Sequence, residues 1–349
     1  MAHKRNWKSG RQEITLSNGR TYVVNDPVNT PSRSTFDVSG EIHVDAIDAR
    51  GYFSWMPDDQ MFIANMIAPE IPAMKSSNKI QVVPKPSGKP DTNGIGATGP
   101  LVEIDSQAAT KTYNARQFGW MYRIPDIDQR NADVLNLEEQ GYNTLRLYEM
   151  LWLEVFMKER VDALTNTAAL SGNAQWSDYD NSDPVKAIRD QVIAARLRGP
   201  AFQKPNCLGL GYQVYEALSY HPKMIDALAS RFTPANNRMP DYLDEAEMAL
   251  ALKLDHVKVG DVTYADDNED TSATDLWDDT AFLCSVHGSP QGSIKYSTFA
   301  NIVVSDAYRL GASVDPDRPL SVNRLMVEGE RDILVVADET GYRWTDAIA

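Results

Sequence analysis

Between Asp133 and Leu170 the apolar positions fall at Leu137, Leu145, Tyr148, Trp152, Val155, Phe156, Val161 and Leu164, mostly at spacings of three, four and their sums. That period predicts one amphipathic helix of about thirty residues, long for a globular protein and suited to lying along a sheet. Gly141 is its weak point, costing about 1 kcal/mol relative to Ala and permitting a bend. Ahead of the helix the period is two. Phe118, Trp120, Tyr122 and Ile124 alternate with polar neighbours as in a half-buried strand, and KIQVVPK reads as another. About two dozen residues rich in Gly and Pro separate them, so Met66 to Pro125 reads as one long hairpin whose connection is functional or mobile. Residues 1–56 hold only short β-prone pieces, EITLSNGRTYVVND and EIHVDAIDARGYF, spaced by Pro and Ser, which predicts an extended arm.

Downstream of the long helix the punctuation is sharper. After SGNAQWSDYDNSDP a second helix is marked by Asp183 as N-cap, Pro184 at its first position and Gly199 past its end, with Val185, Ile188, Val192 and Ala195 as its apolar face. PNCLGLGYQVYEALSYHPKMIDAL then reads as a buried strand followed by a short helix that stops before Pro222, the grammar of a mixed α/β layer. The chain closes on strands, RDILVVA and YRW, around a turn at Asp338 to Gly341. No internal repeat is present. The stretch 231–324 has the weakest pattern.

Composition narrows the class. At 349 residues the chain has room for two domains or one with large insertions, and its two cysteines, Cys207 and Cys284, form no disulfide framework and read as small buried apolar residues. No apolar run approaches the roughly twenty residues of a membrane span, and MAHKRNWKSGR is basic with no apolar stretch behind it, so neither anchor nor signal peptide is expected. The net charge of −15 argues against a surface that wraps nucleic acid. The charge is uneven: Lys4, Arg5, Lys8, Arg11, Arg20 and Arg33 make the first segment basic against Glu13 and Asp26, whereas DDNEDTSATDLWDD (266–279) is acidic. The basic segment reads either as a solvated terminus or as a strap across a neighbouring subunit.

Candidate chemistry fails on missing partners. Gly94, Gly96 and Gly99 have the GxGxxG spacing of a dinucleotide turn. However, Pro84, Pro86 and Pro90 break any preceding strand, Pro100 leads into a short β-like run rather than a helix, and KTYNARQFGWMYRI supplies no ribose-binding acid. Asp266, Asp267, Glu269 and Asp270 resemble a calcium loop only in charge, with Thr271 and Trp277 where such a loop needs Gly and Glu. Cys284 and His287 are a close pair, but His3, His43, His221 and His256 are scattered, and no GxSxG is present. Glu138, Glu139, Glu149, Glu154 and Glu159 lack the histidines of a di-iron bundle. They read as the solvent face of the long helix, with Glu154 paired to Lys158 and Glu149 to Arg146. No cofactor, metal or catalytic residue is therefore expected, and the chain reads as a non-enzyme.

In their order, IAPEIPAMKSSNKIQVVPK, FGWMYRIPDIDQRNADV, WSDYDNSDPVKAIRD and GLGYQVYEALSYHPKMIDAL resemble the major capsid proteins of tailed bacteriophages with the HK97-like fold. The likeness is strongest from Ile67 to Leu228 and weakest from Arg231 to Arg324. It implies an α+β fold comprising an N-terminal arm (1–56), an extended loop hairpin with flanking strands (57–125), a peripheral domain with a long spine helix (126–200), a mixed α/β axial domain (201–324) and closing strands (325–349). It implies a shell subunit that assembles with itself into pentamers and hexamers of an icosahedral, membrane-free virion capsid, formed in the host cytoplasm and enclosing double-stranded DNA without reading its sequence. The family's functional positions would be contacts between subunits. Here these are Lys75, Lys79, Lys85, Lys89, Gly94, Gly96 and Gly99 in the loop, with Arg5 and Arg11 in the arm. Glycine lets the loop tip adopt positive φ. The loop lysines are read as meeting acidic neighbours rather than forming isopeptide crosslinks. The arm starts within about twenty residues of the start of the chain, so a separate scaffolding protein is expected, together with a portal and a possible decoration protein. An encapsulin-type nanocompartment shares the fold and is the alternative.

Overall fold

The computed structural model describes residues 6–8, 11–15, 21–25, 61–82, 109–125, 137–198, 204–229, 241–265, 273–287, 298–305, 309–314 and 322–349. In chain order the elements are β1 (Asn6–Lys8), β2 (Arg11–Thr15), β3 (Thr21–Asn25), α1 (Ala64–Ile67), β4 (Glu70–Ala73), β5 (Ser77–Val82), β6 (Ala109–Asn114) and β7 (Arg116–Pro125). They continue with α2 (Leu137–Asp162), β8 (Thr167–Ala169), α3 (Pro184–Arg198), β9 (Cys207–Gly211), α4 (Tyr212–Ser219), α5 (Pro222–Ala229), α6 (Glu245–Leu252) and β10 (His256–Gly260). The rest are β11 (Thr263–Tyr264), β12 (Thr274–Asp275), β13 (Ala281–Cys284), β14 (Ala300–Ser305), β15 (Arg309–Val314), β16 (Val322–Val335) and β17 (Tyr342–Thr345).

The chain divides into two compact units. One comprises Met1–Trp55, Met121–Tyr142 and Leu310–Val327. In it β1, β2 and β3 form an antiparallel meander in which Arg11 lies opposite Lys8 and Asn25. Gly141, at the start of the long helix, is packed rather than bent: a Cβ there would lie 2.6 Å from Leu325 Cδ1 and 2.8 Å from Tyr122 Cδ1. The glycine is thus a close-approach position, not the weak point expected from propensity.

The other unit, Met56–Trp120, Asn143–Arg309 and Glu328–Ala349, holds two layered cores. The first is a mixed sheet in the order β10-β9-β13-β17-β8. Strand β9 is buried along its whole length, as the apolar run CLGLG predicts, and pairs parallel to β10 and antiparallel to β13. Helices α3 to α6 pack with it through Ile188, Val214, Leu218, Met224 and Met248. Helix α3 begins as the sequence predicts. Pro184 is its first residue, Asp183 Oδ1 accepts from the Lys186 N–H at 3.0 Å, and Val185, Ile188 and Ala195 are buried. Pro222 does more than stop α4, because it opens α5 after a single intervening turn.

The second core is built where α2 meets the sheet containing β14, β16 and β4. Strand β14 pairs antiparallel to β16 and parallel to β4. Leu153, Phe156, Met157 and Val161 of α2 are buried with Ile63, Ile67, Phe299, Ile302 and Ile333. The helix has 26 residues, and its buried arc differs from the expected stripe, because Tyr148 and Val155 are exposed. The hairpin also differs. The sequence pairs KIQVV with FGWMYRI, but β5 pairs with β6 in a register from Ser77↔Asn114 to Val82↔Ala109. Strand β7 follows as a separate strand that pairs with β16. Its alternation holds, with Phe118 and Ile124 buried. The stretch that reads weakest in sequence contains α6, β10, β13 and β14, short elements whose burial comes from neighbours distant in the chain.

Candidate functional site

The long helix carries its charges inward. Glu149 and Glu154, expected on the solvent face, are both completely buried. Their phase explains this: Glu149 stands four residues from Leu145 and Leu153, and Glu154 stands four from Met150 and three from Met157, all buried. The two acids meet different partners. Arg331 on β16 places Nη2 2.7 Å from Glu149 Oε1, and Arg146 places Nη1 3.2 Å from Glu149 Oε2. The i,i+3 pair expected from sequence is present, but as half of a buried network. Arg331 also lies over the Phe118 ring at 5.6 Å. One strand residue further, Asp332 accepts from Arg160 at 2.9 Å and from the Asn114 N–H at 2.8 Å.

Glu154 meets no such cation in its hydrogen bonding. Its Oε1 accepts from the Ile63 N–H at 3.1 Å and from Trp277 Nε1 at 2.7 Å, and its Oε2 accepts from the Ala64 N–H at 2.9 Å. Burial raises its pKa to about 7 against the opposing pull of these three donors. The expected pairing with Lys158 does not form, because Lys158 Nζ turns to Asp162 at 2.7 Å. Glu154 thereby ties three distant stretches, residues 63–64, α2 and Trp277, to one point. This is an organising role, with each oxygen satisfied and no open face for a reactant.

The root of the β5–β6 hairpin is fastened to the same unit. Lys111 Nζ donates to the Val335 carbonyl at 3.1 Å and to Asp338 Oδ1 at 2.6 Å, Ser76 Oγ donates to Glu330, and Tyr113 packs with Val303, Leu334 and Val336. Lys75 sits exposed in the turn before β5, where its carbonyl accepts from the Tyr113 hydroxyl at 3.0 Å. Lys79 is exposed on β5 opposite Thr112, so these two lysines share the hairpin. Arg11 opens β2. Arg5, Lys85, Lys89, Gly94, Gly96 and Gly99 lie outside the described residues.

One constellation has the makings of catalysis and lacks its logic. Ser182 Oγ lies 3.0 Å from His221 Nε2, both residues being buried. His221 Nδ1 accepts from the Lys223 N–H at 3.2 Å, so in the neutral ring the proton resides on Nε2 and is donated to Ser182. An activated serine needs the reverse, a ring nitrogen free to take the hydroxyl proton. Burial, with the Lys223 charge second, lowers the His221 pKa and so favours the neutral ring. The pair caps α5 and secures the loop before α3. No sequence motif announces it, because Ser182 and His221 are separated by all of α3 and β9. Cys207 and Cys284 are buried register partners across β9 and β13, and His287 has its pKa lowered by burial. Among the described residues no group of three or more His, Cys, Asp or Glu is placed to hold a metal ion, and no helix is long and apolar enough to cross a membrane.

No protein-family model and no curated protein matches the chain by sequence. Its fold is that of phage capsid structures. A phage-related protein from Bordetella bronchiseptica RB50 superposes with a TM-score of 0.64 at 18% identity, over 87% of this chain and 97% of that one. A chain of the capsid structure of cyanophage P-SCSP1u superposes with a TM-score of 0.51 at 10% identity, over 95% of this chain and 96% of that one.

Proposed function

We propose that this protein is the major shell subunit of a tailed-phage head, assembling with itself into the pentamers and hexamers of an icosahedral capsid around double-stranded DNA. One observation carries the reading: the fold shared with a phage capsid structure spans 95% of the chain, and that shared with a phage-related protein 87%, leaving little of it for another task. The satisfied hydrogen bonding of Glu154 and the Ser182–His221 pair supports a structural, non-enzymatic protein. In this reading residues 1–56 are the arm, 57–125 the extended loop with its flanking strands, 126–200 the peripheral domain with α2 as spine helix, 201–324 the axial domain, and 325–349 the closing strands. Lys75, Lys79, Lys85, Lys89, Gly94, Gly96 and Gly99 of the loop, with Arg5 and Arg11 of the arm, contact neighbouring subunits. A separate scaffolding protein, a portal and a decoration protein complete the head, which assembles in the host cytoplasm and leaves in the virion.

The physics of such a shell suits this chain. Each copy is held by several neighbours at once, so contacts that are individually weak sum to a stable shell while assembly stays reversible enough to correct errors. The test is electron microscopy and sedimentation of the protein expressed alone and with a neighbouring scaffold gene. Closed particles or capsomer rings are expected. A homogeneous monomer or dimer under every condition overturns the reading, and native particles filled with protein cargo instead of nucleic acid replace it with a nanocompartment.

A further inference from the structure

The two ends of α6 carry exposed surfaces of opposite charge. At eight residues and about 1.5 Å per residue, the helix separates its ends by roughly 12 Å. Beside its N-terminus lies a cluster of tyrosines. Tyr220 and Tyr242 meet edge-on with ring centroids 5.3 Å apart, and the Tyr242 hydroxyl lies 2.8 Å from that of Tyr215. Tyr212, Tyr220 and Tyr242 are 41%, 50% and 38% exposed. The surroundings are acidic: Glu216 accepts from the Tyr212 hydroxyl, Asp261 lies near Tyr212, and Asp244 and Glu245 lie near Tyr215, with exposed Asp241 next in sequence to Tyr242.

Beside the C-terminal end of α6 the character reverses. Arg189 Nη2 donates to the Ala251 carbonyl at 2.8 Å, which sets the 189, 193, 197 side of α3 against the last turn of α6. Ile193 on that side is 61% exposed, Leu197 69%, and Leu250 of α6 47%. Arg196 and Arg198 are exposed around them. A monomer gains nothing from showing apolar residues on both sides of one small helix, one set amid net positive charge (Arg189, Arg196 and Arg198 against Asp190) and the other amid net negative charge (Glu216, Asp241, Asp244, Glu245 and Asp261 against Lys258).

We propose that these are the two halves of a head-to-tail contact between copies of this chain: the basic, aliphatic end of α3 on one copy seats on the acidic tyrosine cluster of the next. A ring needs a heterologous interface, in which each subunit offers two different and complementary patches. The tyrosines supply large, rigid contact area, and the opposed charges orient the approach. The inference rests on the shell reading, since it names the surface by which the shell's rings would close.

The test uses two full-length variants, Ile193→Glu with Arg196→Glu and Tyr220→Ala with Tyr242→Ala, compared by far-UV circular dichroism and analytical ultracentrifugation. Each alone is expected to keep the wild-type spectrum and remain monomeric. Mixed one to one, they are expected to form a heterodimer that grows no further, because each retains the patch that the other has lost. If wild type assembles and both variants assemble equally well, the contact is overturned while the shell reading stands. If both variants are monomeric and their mixture stays monomeric, the head-to-tail pairing is likewise overturned. If wild type stays monomeric both alone and with the scaffold protein, both readings fall together.

Discussion

At the scale of single residues, two buried titrating groups set opposite limits on stability. Glu154 ionises near the ordinary carboxylate value of 4.5 when unfolded and near about 7 when folded. The folded chain therefore holds the proton more tightly, and stability falls as pH rises through that window and levels off above it. At about 1.4 kcal/mol per unit, the effect is of order 3 kcal/mol. His221 works in the other direction: its folded pKa is depressed, so its contribution is present above the ordinary histidine value of 6.5 and lost as pH falls through the folded value. In Glu154→Gln one amide N–H must face a backbone or indole N–H, costing about 1–3 kcal/mol where the wild type is neutral. Thermal melts followed from about pH 5 to about pH 8 should show the variant well below wild type at the acid end and a gap that shrinks toward the alkaline end. Parallel curves would mean that Glu154 stays ionised throughout.

At the scale of elements, β9 shows how close packing constrains a strand. Gly211 is its last residue, and a Cβ there would lie 2.1 Å from the Asp278 carbonyl oxygen, in a stretch where Asp278 already has φ 44°. Backbone cannot yield as a flexible side chain does, so Gly211→Ala should lower stability by about 3 kcal/mol or more, read as a fall in the urea midpoint. An unchanged midpoint would show that the β9–β13 junction is looser than its geometry. Sequence reading recovered α2, α3, β5, β7 and β9, because each carries an apolar period or a cap of its own. It misplaced Glu149 and Glu154 because charge was weighed above helical phase, although Leu145, Met150, Leu153 and Met157 mark the buried arc on both sides of them. It also paired β5 with the wrong strand, since the alternation of FGWMYRI identifies a half-buried strand but says nothing about which neighbour completes it.

At the scale of the whole molecule, charge bears on what a shell can touch. With a net charge of −15 the chain offers little counterion release on meeting a polyanion, so in the proposed shell packaged DNA would not adhere to the wall through this subunit. The isolated protein should pass through a DNA column at moderate salt. Strong retention there would contradict this expectation.

Cys207 and Cys284 show the division between the two sources most simply: apolar context alone marks both as buried, but only the register of β9 and β13 makes them neighbours. The sequence by itself determined where α2, α3, β5, β7 and β9 lie, that α3 is capped by Asp183, that no familiar catalytic motif is present, and that the order of elements resembles a capsid subunit. These are local properties, written in period, punctuation and composition. Only the tertiary structure decided that Glu149 faces Arg331, that Glu154 gathers Ile63, Ala64 and Trp277, that Ser182 meets His221, and that α6 stands between two oppositely charged exposed patches. Each of these joins residues far apart in the chain, and such pairings depend on packing and burial that no single stretch of sequence contains.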